Sequence, residues 1–288
     1  MMLGTRDQFQ YSECQSCGAL QRVDLNVDLA PYYPSTYYAF GVARRGRVRT
    51  WARTIRNRVA LAPSSPFREL SQLIHPHPAY DWIKRMRPNR SARILDVGCG
   101  RGTVLRQLSE AGYGSLTGLD PFLPPTVETP PQVRMIRSSL EAADGKFDII
   151  MMHHSLEHMP DQQSAARAIG RLLSGDGWCL IRVPTVSSYA WEQYREHWFQ
   201  IDAPRHFVLH SIDSLRRLGE SNGLILDHLD FDSTENQILW SERYRSGIPI
   251  SEGSAFSRSA RRTARAFADR LNSERRGDQV VAYFRKAR

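Results

Sequence analysis

The sequence predicts an α/β fold: a doubly wound, mostly parallel sheet of seven strands behind an N-terminal helical or irregular extension. Three observations predict it. From Ala92 onward, seven short apolar runs alternate with helical segments, the pattern of a parallel sheet covered on both faces. The first run ends in a glycine-rich turn that opens onto a helix. The chain has 288 residues, 41% of them hydrophobic and 24% charged, enough for one large domain and a small appendage.

The elements follow in order. Residues 1–40 are polar and tyrosine-rich and contain "CQSCG", a partial zinc-knuckle-like segment. Residues 41–91 read as a basic helical cap and linker. Within them, Val48, Trp51, Ile55 and Val59 recur at steps of three and four, so 41–60 is expected to be a helix with an apolar stripe between arginines. "LAPSSPF" and "HPHP" then break the chain. Residues 92–288 form the third region. Its expected strands are 93–98, 115–120, 132–136, 147–152, 178–183, 224–231 and 279–284; its expected helices are 102–111, 161–173 and 212–222. The last crossover, about 233–277, is long enough to hold helical insertions.

The net charge of +9 is concentrated. Between Asp28 and Glu69 there is no acidic residue and there are eight arginines (44, 45, 47, 49, 53, 56, 58, 68). The tail from Ala255 carries ten basic and three acidic residues, so the rest of the chain is mildly acidic. No apolar run reaches the length of a membrane span. "MMLGTRDQFQ" lacks the apolar stretch of a signal peptide. Cysteines 14, 17, 99 and 179 form no disulfide framework, which fits a reduced, cytoplasmic setting.

"ILDVGCGRG" is a strand, a glycine turn and a helix start, the context that gives such a motif meaning. The glycines stand at Gly98, Gly100 and Gly102, and Thr103 occupies the place of the third glycine in the dinucleotide fingerprint. Asp96, two residues before the turn, would repel a pyrophosphate and favour a ligand carrying ammonium and sulfonium charge. Asp120 ends the next strand, 24 residues later, where a carboxylate can accept both ribose hydroxyls of an adenosine.

With these residues the chain resembles the class I S-adenosylmethionine (SAM)-dependent methyltransferases, over about 92–231 plus the final strand. The resemblance implies a Rossmann-like fold and SAM as cofactor. It places Asp96, Gly98, Cys99, Gly100 and Gly102 at the methionine part of SAM and Asp120 at the ribose, with Pro121 and Phe122 beside the adenine. Ser139 and Leu140 stand where the family usually has an acidic residue on the adenine amine, a departure. A nucleotide dehydrogenase and a non-catalytic module of the same fold are the rival readings of the motif.

"MMHHSLEHMPD" follows the fourth strand of this region. By the resemblance His154 lies against SAM, while "LEH" matches many small-molecule methyltransferases, including quinone O-methyltransferases. Three readings stay open for His154, Glu157 and His158. They are a divalent-metal set, residues that orient the site, and direct proton abstraction by His158.

The segment 182–224 resembles a subgroup encoded with polysaccharide- and lipid-tailoring genes. Trp198, Asp202, Pro204, Arg205 and His206 carry that likeness. A loop at the C-terminal end of a strand is expected to cover the substrate, so Trp198, Asp202 and Arg205 are candidate substrate contacts. Tyr189, Trp191, Tyr194, Trp198 and Phe199 would supply an apolar wall. His206 and His158 are the candidate catalytic bases, against a structural role for His206 in tying the loop down.

Cys14 and Cys17 are candidate zinc ligands, but they supply two of the four that zinc takes. In the resembling subgroup a first knuckle precedes this one and would lie before Met1. His75 and His77 offer a completing pair, although "HPHP" reads more simply as a rigid linker. For the basic helix, a cap with solvated arginines stands beside an anionic membrane or lipid-linked acceptor and beside nucleic acid. Nucleic acid is disfavoured, because no base-methylation motif follows the fourth strand. The expected function is methyl transfer from SAM to a small or carrier-linked acceptor, foremost O-methylation of a sugar or glycolipid. The alternatives are a quinone or phenol O-methyltransferase and a non-catalytic partner of the same fold.

Overall fold

A computed structural model describes residues 5–33, 47–62, 66–74, 77, 79–123, 127–250 and 252–287. Arg44, Arg45, His75 and most of "YYPSTYY" and "HPHP" lie outside the described residues.

Among the described residues there are ten strands: β1 (Tyr11–Glu13), β2 (Leu20–Arg22), β3 (Arg93–Val97), β4 (Ser115–Leu119), β5 (Val133–Ile136), β6 (Phe147–His153), β7 (Leu173–Pro184), β8 (Val208–Leu209), β9 (Leu224–Phe231) and β10 (Gln279–Lys286). The helices are α1 (Arg47–Leu61), α2 (Arg68–Ile74), α3 (Tyr80–Met86), α4 (Thr103–Glu110), α5 (Gln162–Leu172), α6 (Tyr189–Tyr194), α7 (Ile212–Glu220), α8 (Asn236–Arg245) and α9 (Arg258–Ser273). The seven expected runs supply one sheet, in the order β5-β4-β3-β6-β7-β10-β9. β3 runs parallel to β4 and β6, and β4 to β5. This is the α/β architecture expected. The long last crossover holds α8 and α9.

By contact density the chain divides into two compact units, Met1–Pro34 with His154–Ala166 and Ile181–Phe284, and Ser35–His153 with Arg167–Leu180 and Arg285–Arg288. In the second unit, Ile94, Leu95, Val97, Leu116, Leu119 and Ile149–Met152 are buried, so β3, β4 and β6 read as the near-continuous apolar runs of a sheet covered on both faces. In the first unit, a second sheet of order β1-β2-β8 pairs antiparallel. Its strands are two or three residues long, too short to leave a periodic signature, and it went unforeseen.

Two expectations change. β7 begins at Leu173 rather than 178, directly after α5. Its first residues, "LSGDG", are buried only at Leu173 and Gly177 and expose Gly175 and Asp176, so they lack the apolar run that marks the other strands. The face of α1 is also inverted. Asn57, Ala60 and Leu61 are fully buried, while Trp51 and Ile55, expected on the apolar stripe, stand 67% and 42% exposed. The polar buried face is satisfied by Glu110 of α4: its carboxylate accepts from Arg53 at 2.8 Å and from Asn57 Nδ2 at 2.5 Å.

Candidate active site

In the second unit, the chain leaves β3 through Gly98, Gly100 and Gly102, all at positive φ (71°, 51° and 69°). Only glycine adopts that region freely, so the turn requires all three. The loop is tied to the end of β4: Asp120 Oδ2 accepts the Gly100 N–H at 3.0 Å and Oδ1 accepts the Phe122 N–H at 2.8 Å. Asp96 pairs in register with Gly118. A Cβ on Gly118 would stand 2.7 Å from Cys99 Sγ and Met135 Sδ and 2.8 Å from Leu105. Asp96 is buried; that burial, with the nearby Asp120 charge, pushes its carboxyl up to about 7. The same causes, burial foremost, push the Cys99 thiol up and keep it an inert packing group.

The two neighbouring carboxyls await positive charge, which the ammonium and sulfonium of SAM carry. Asp120 keeps lone pairs for ribose hydroxyls beyond the two N–H groups it already accepts. Pro121 and Phe122 are exposed beside it, Phe122 by 76%. Ser139 is exposed and its hydroxyl accepts the Ala142 N–H at 3.4 Å, whereas Leu140 is buried. These residues fit SAM by donor chemistry and by the room the glycines leave. At the end of β6, His153 stacks on Trp82 of α3, with ring centroids 4.3 Å apart.

In the first unit, the residues after β6 form a cluster. His154 has φ +51°, a left-handed conformation strained for a non-glycine residue. Its Nε2 lies 2.7 Å from Arg182, whose Nε donates to Asp232 at 2.6 Å. A guanidinium only donates, so Nε2 accepts and Nδ1 carries the proton, facing Glu157 Oε1 at 3.2 Å. Glu157 has no exposed surface. Burial alone would raise its carboxyl; the hydrogen bond from His154 and the surrounding imidazoles of His154, His158 and His206 outweigh that and hold it low. Its second oxygen, Oε2, is buried with no hydrogen-bond partner.

His158 Nδ1 lies 3.1 Å from the Arg205 carbonyl and 3.3 Å from the Tyr33 hydroxyl. His206 Nδ1 lies 2.8 Å from the Gln200 carbonyl. Both carbonyls accept, so each imidazole donates from Nδ1 and keeps the lone pair on Nε2. Burial first, then His158, pulls His206 down to about 4, so it is neutral at pH 7. The two rings stand edge to face with centroids 4.6 Å apart. Among the described residues, Glu157, His158 and His206 are the one group of three metal-type ligands, each offering an atom within 4.8 Å of the others. That set replaces the His154–Glu157–His158 grouping expected from spacing, because Arg182 takes the free nitrogen of His154.

The 198–207 loop is held rigidly. The Phe207 N–H donates to the Glu157 carbonyl at 2.7 Å, and Tyr11 donates to the His206 carbonyl at 2.7 Å. Arg22 donates to the Pro204 carbonyl, after a cis Ala203–Pro204 bond. Arg205, expected at the substrate, is buried and paired with Asp202. Trp198 has no exposed surface; its Nε1 donates to Asp278 at 2.9 Å, and it packs with Leu20, Val186, Ala190, Tyr194 and Leu209. Of the aromatics expected as an acceptor wall, Trp191, Tyr194, Trp198 and Phe199 thus pack in or against a core while Tyr189 packs edge to face on Phe267, and the burial of Trp198 and Arg205 leaves them little surface to offer.

Cys14 and Cys17 bracket the turn between β1 and β2, with free thiols. Backbone N–H groups of Cys17 and Ser16 hold the Cys14 thiol low. His77 Nδ1 accepts the Ala79 N–H at 3.1 Å, and its Nε2 is buried without a hydrogen-bond partner. Arg182, Asp232 and Tyr33 were not anticipated. An arginine inside the apolar run "WCLIRV" was the available signal for the first, since a charge in a buried strand needs a partner.

The pattern that defines the Methyltransferase domain family matches residues 68–229, just over half of the chain. A ubiquinone biosynthesis O-methyltransferase of Albidiferax ferrireducens is 32% identical over 110 residues, 34% of this chain and 43% of that protein. One from Escherichia fergusonii is 33% identical over 96 residues, 30% of this chain and 40% of that protein. The chain therefore spans under half the length of the curated relatives it matches. Among solved structures, the complex between the Haloferax volcanii Trm112 methyltransferase activator and its methyltransferase aligns with a TM-score of 0.51. It is 17% identical and covers 85% of this chain and 100% of that one, a likeness of fold. With the glycine turn, Asp96 and Asp120 in place on a seven-stranded sheet, the chain belongs to the Methyltransferase domain family and carries a class I SAM-dependent methyltransferase domain.

Proposed function

We propose that the chain transfers a methyl group from SAM to a phenolic hydroxyl of a small, quinone-type acceptor, with His206 as base and His158 beside it. The observation that carries this reading is the neutral His206, whose Nδ1 is held by the Gln200 carbonyl so that Nε2, 3.8 Å from Asp202 Oδ2, keeps its lone pair. A phenol, which ionises near pH ~10, gives up its proton far more readily than an alkyl hydroxyl of a sugar, so a weakly basic imidazole can take it only from the phenol, as the oxygen attacks the methyl group. The names of the two curated relatives point the same way, and neither name speaks for the sugar or glycolipid expectation. SAM supplies the methyl group, and the protein's share is to orient the acceptor oxygen and take its proton. His154, Arg182 and Asp232 position the cluster. The four free thiols support a reducing, cytoplasmic setting.

A second reading is favoured by the unpartnered Oε2 of Glu157. Glu157, His158 and His206 make a two-histidine, one-carboxylate set suited to a divalent transition metal. A bound cation would lower the pKa of an acceptor hydroxyl. Labelled-methyl transfer to a panel of catechols, hydroquinones and sugars tests both readings. Transfer to catechols that collapses in His206→Ala and survives chelation supports the base. Loss on chelation with recovery on adding back manganese or zinc supports the metal. Transfer to sugars alone would overturn the phenolic assignment, and failure to bind SAM would leave a non-catalytic module.

A further inference from the structure

We propose that the surface formed by α1 and α2 docks the protein onto anionic phospholipid bilayers. The first observation is the inverted helix. In α1, Asn57 faces inward with Ala60 and Leu61, while Trp51 and Ile55, four residues apart on one face, stand in water. The second lies next to it. α2 packs on α1 and leaves Leu70 and Leu73, three residues apart, 54% and 83% exposed, with Phe67 just before it at 64%. Five large apolar side chains thus stand exposed on and beside two adjoining helices, a concentration of the kind that marks interaction surfaces.

Charge selects the occupant. From residue 29 to 68 the chain has eight arginines and no acidic residue. Glu69, the next carboxylate along the sequence, is engaged by Lys84 at 3.5 Å and Arg68 at 3.8 Å. Arg53 is turned inward to Glu110, but Arg58 is exposed. Apolar side chains including a tryptophan, in an arginine-rich stretch of sequence, suit the interface of a bilayer with phosphate headgroups. They suit nucleic acid poorly, since exposed leucines gain nothing from a phosphate backbone. No helix among the described residues is long and apolar enough to cross a membrane, so contact would be at the surface. The inference does not depend on the acceptor's identity.

Cosedimentation of the full chain with vesicles tests it. Vesicles of phosphatidylcholine with about 30% phosphatidylglycerol should carry the protein down, and pure phosphatidylcholine vesicles should carry at least tenfold less. Trp51→Glu with Leu73→Glu should abolish the binding, and the milder Trp51→Ser with Leu73→Ser should weaken it at least threefold. Both positions are exposed, and unchanged circular dichroism and SAM affinity would show that the fold stands. No binding to anionic vesicles would overturn the proposal. So would binding unaltered by both double variants, or a dimer in light scattering that the glutamate pair splits while vesicle binding is absent.

Discussion

Asp120→Asn is the most informative change at the cofactor end. The carboxylate already accepts the Gly100 and Phe122 N–H groups at 3.0 and 2.8 Å, and its remaining lone pairs face the place assigned to the ribose. Asparagine keeps one acceptor oxygen and turns the other into a donor, which then meets one of two backbone N–H groups. One charge-assisted hydrogen bond is worth about 1.5–3 kcal/mol, so SAM affinity should fall roughly 10- to 150-fold. A second effect separates this from general damage. Asp120 is one of the two causes holding the Asp96 carboxyl up. Removing its charge lets Asp96 ionise at lower pH but still reduces the negative charge offered to the sulfonium. Titration calorimetry with SAM and with the product S-adenosylhomocysteine, which lacks the sulfonium charge, should therefore show a larger loss for SAM. Equal affinity in wild type and variant, or an identical loss for both ligands, would refute the reasoning.

Other outcomes follow from packing and burial. Gly118→Ala forces a methyl against Cys99, Met135 and Leu105; overpacking of this kind costs about 1–3 kcal/mol, and denaturant unfolding should report it together with weaker SAM binding. Trp198→Phe leaves buried Asp278 without its indole donor. The lost bond to a carboxylate costs about 1.5–3 kcal/mol, or roughly 3–12 °C in melting temperature; a shift below about 2 °C would contradict the role assigned to Trp198. His210, between Gln162 and Ser214, is pulled from 6.5 down to about 4 by burial. The unfolded chain binds that proton first, so the stability His210 contributes is full above pH 6.5 and lost as pH falls to about 4, roughly 3 kcal/mol in all. Asp96 and Asp278, raised to about 7 and about 6 by burial, act with opposite sign as pH rises. The stability gap between wild type and His210→Gln isolates the histidine, and it should narrow on acidification from pH 6.5 to 4. A constant gap would contradict the burial assigned to this imidazole.

The sheet was legible because β3, β4, β6, β9 and β10 are apolar runs with clear borders, and the glycine turn declares itself through residues that only one backbone shape admits. The start of β7 was hidden, because a strand with water on one side can be built from Ser, Gly and Asp. The three-stranded sheet of β1, β2 and β8 was hidden because its pairing joins residues nearly 190 positions apart. At the candidate site, histidine spacing indicated a cluster, and His154 does meet Glu157 at 3.2 Å, but spacing did not show all of its members. Spacing along one helical turn groups His154 with His158; the structure instead brings His206 across from another loop and gives His154 to Arg182. Long-range partners of this sort leave no local periodicity. Trp198 and its aromatic neighbours show a related limit, since composition does not tell a core from a pocket wall.

The hydroxyl of Tyr33 reaches His158 across 125 positions of sequence, and Tyr11 and Asp278 likewise brace residues of the 198–207 loop from opposite ends of the chain. A fragment trimmed to the family match, 68–229, would keep every residue assigned to SAM and lose all three of these braces. The methyl-donor half of such a protein can thus be inherited, grafted or recognised by likeness alone. The histidine cluster lies inside the match as well, but the side chains that brace it come from the flanks, where relatives of the core need share nothing.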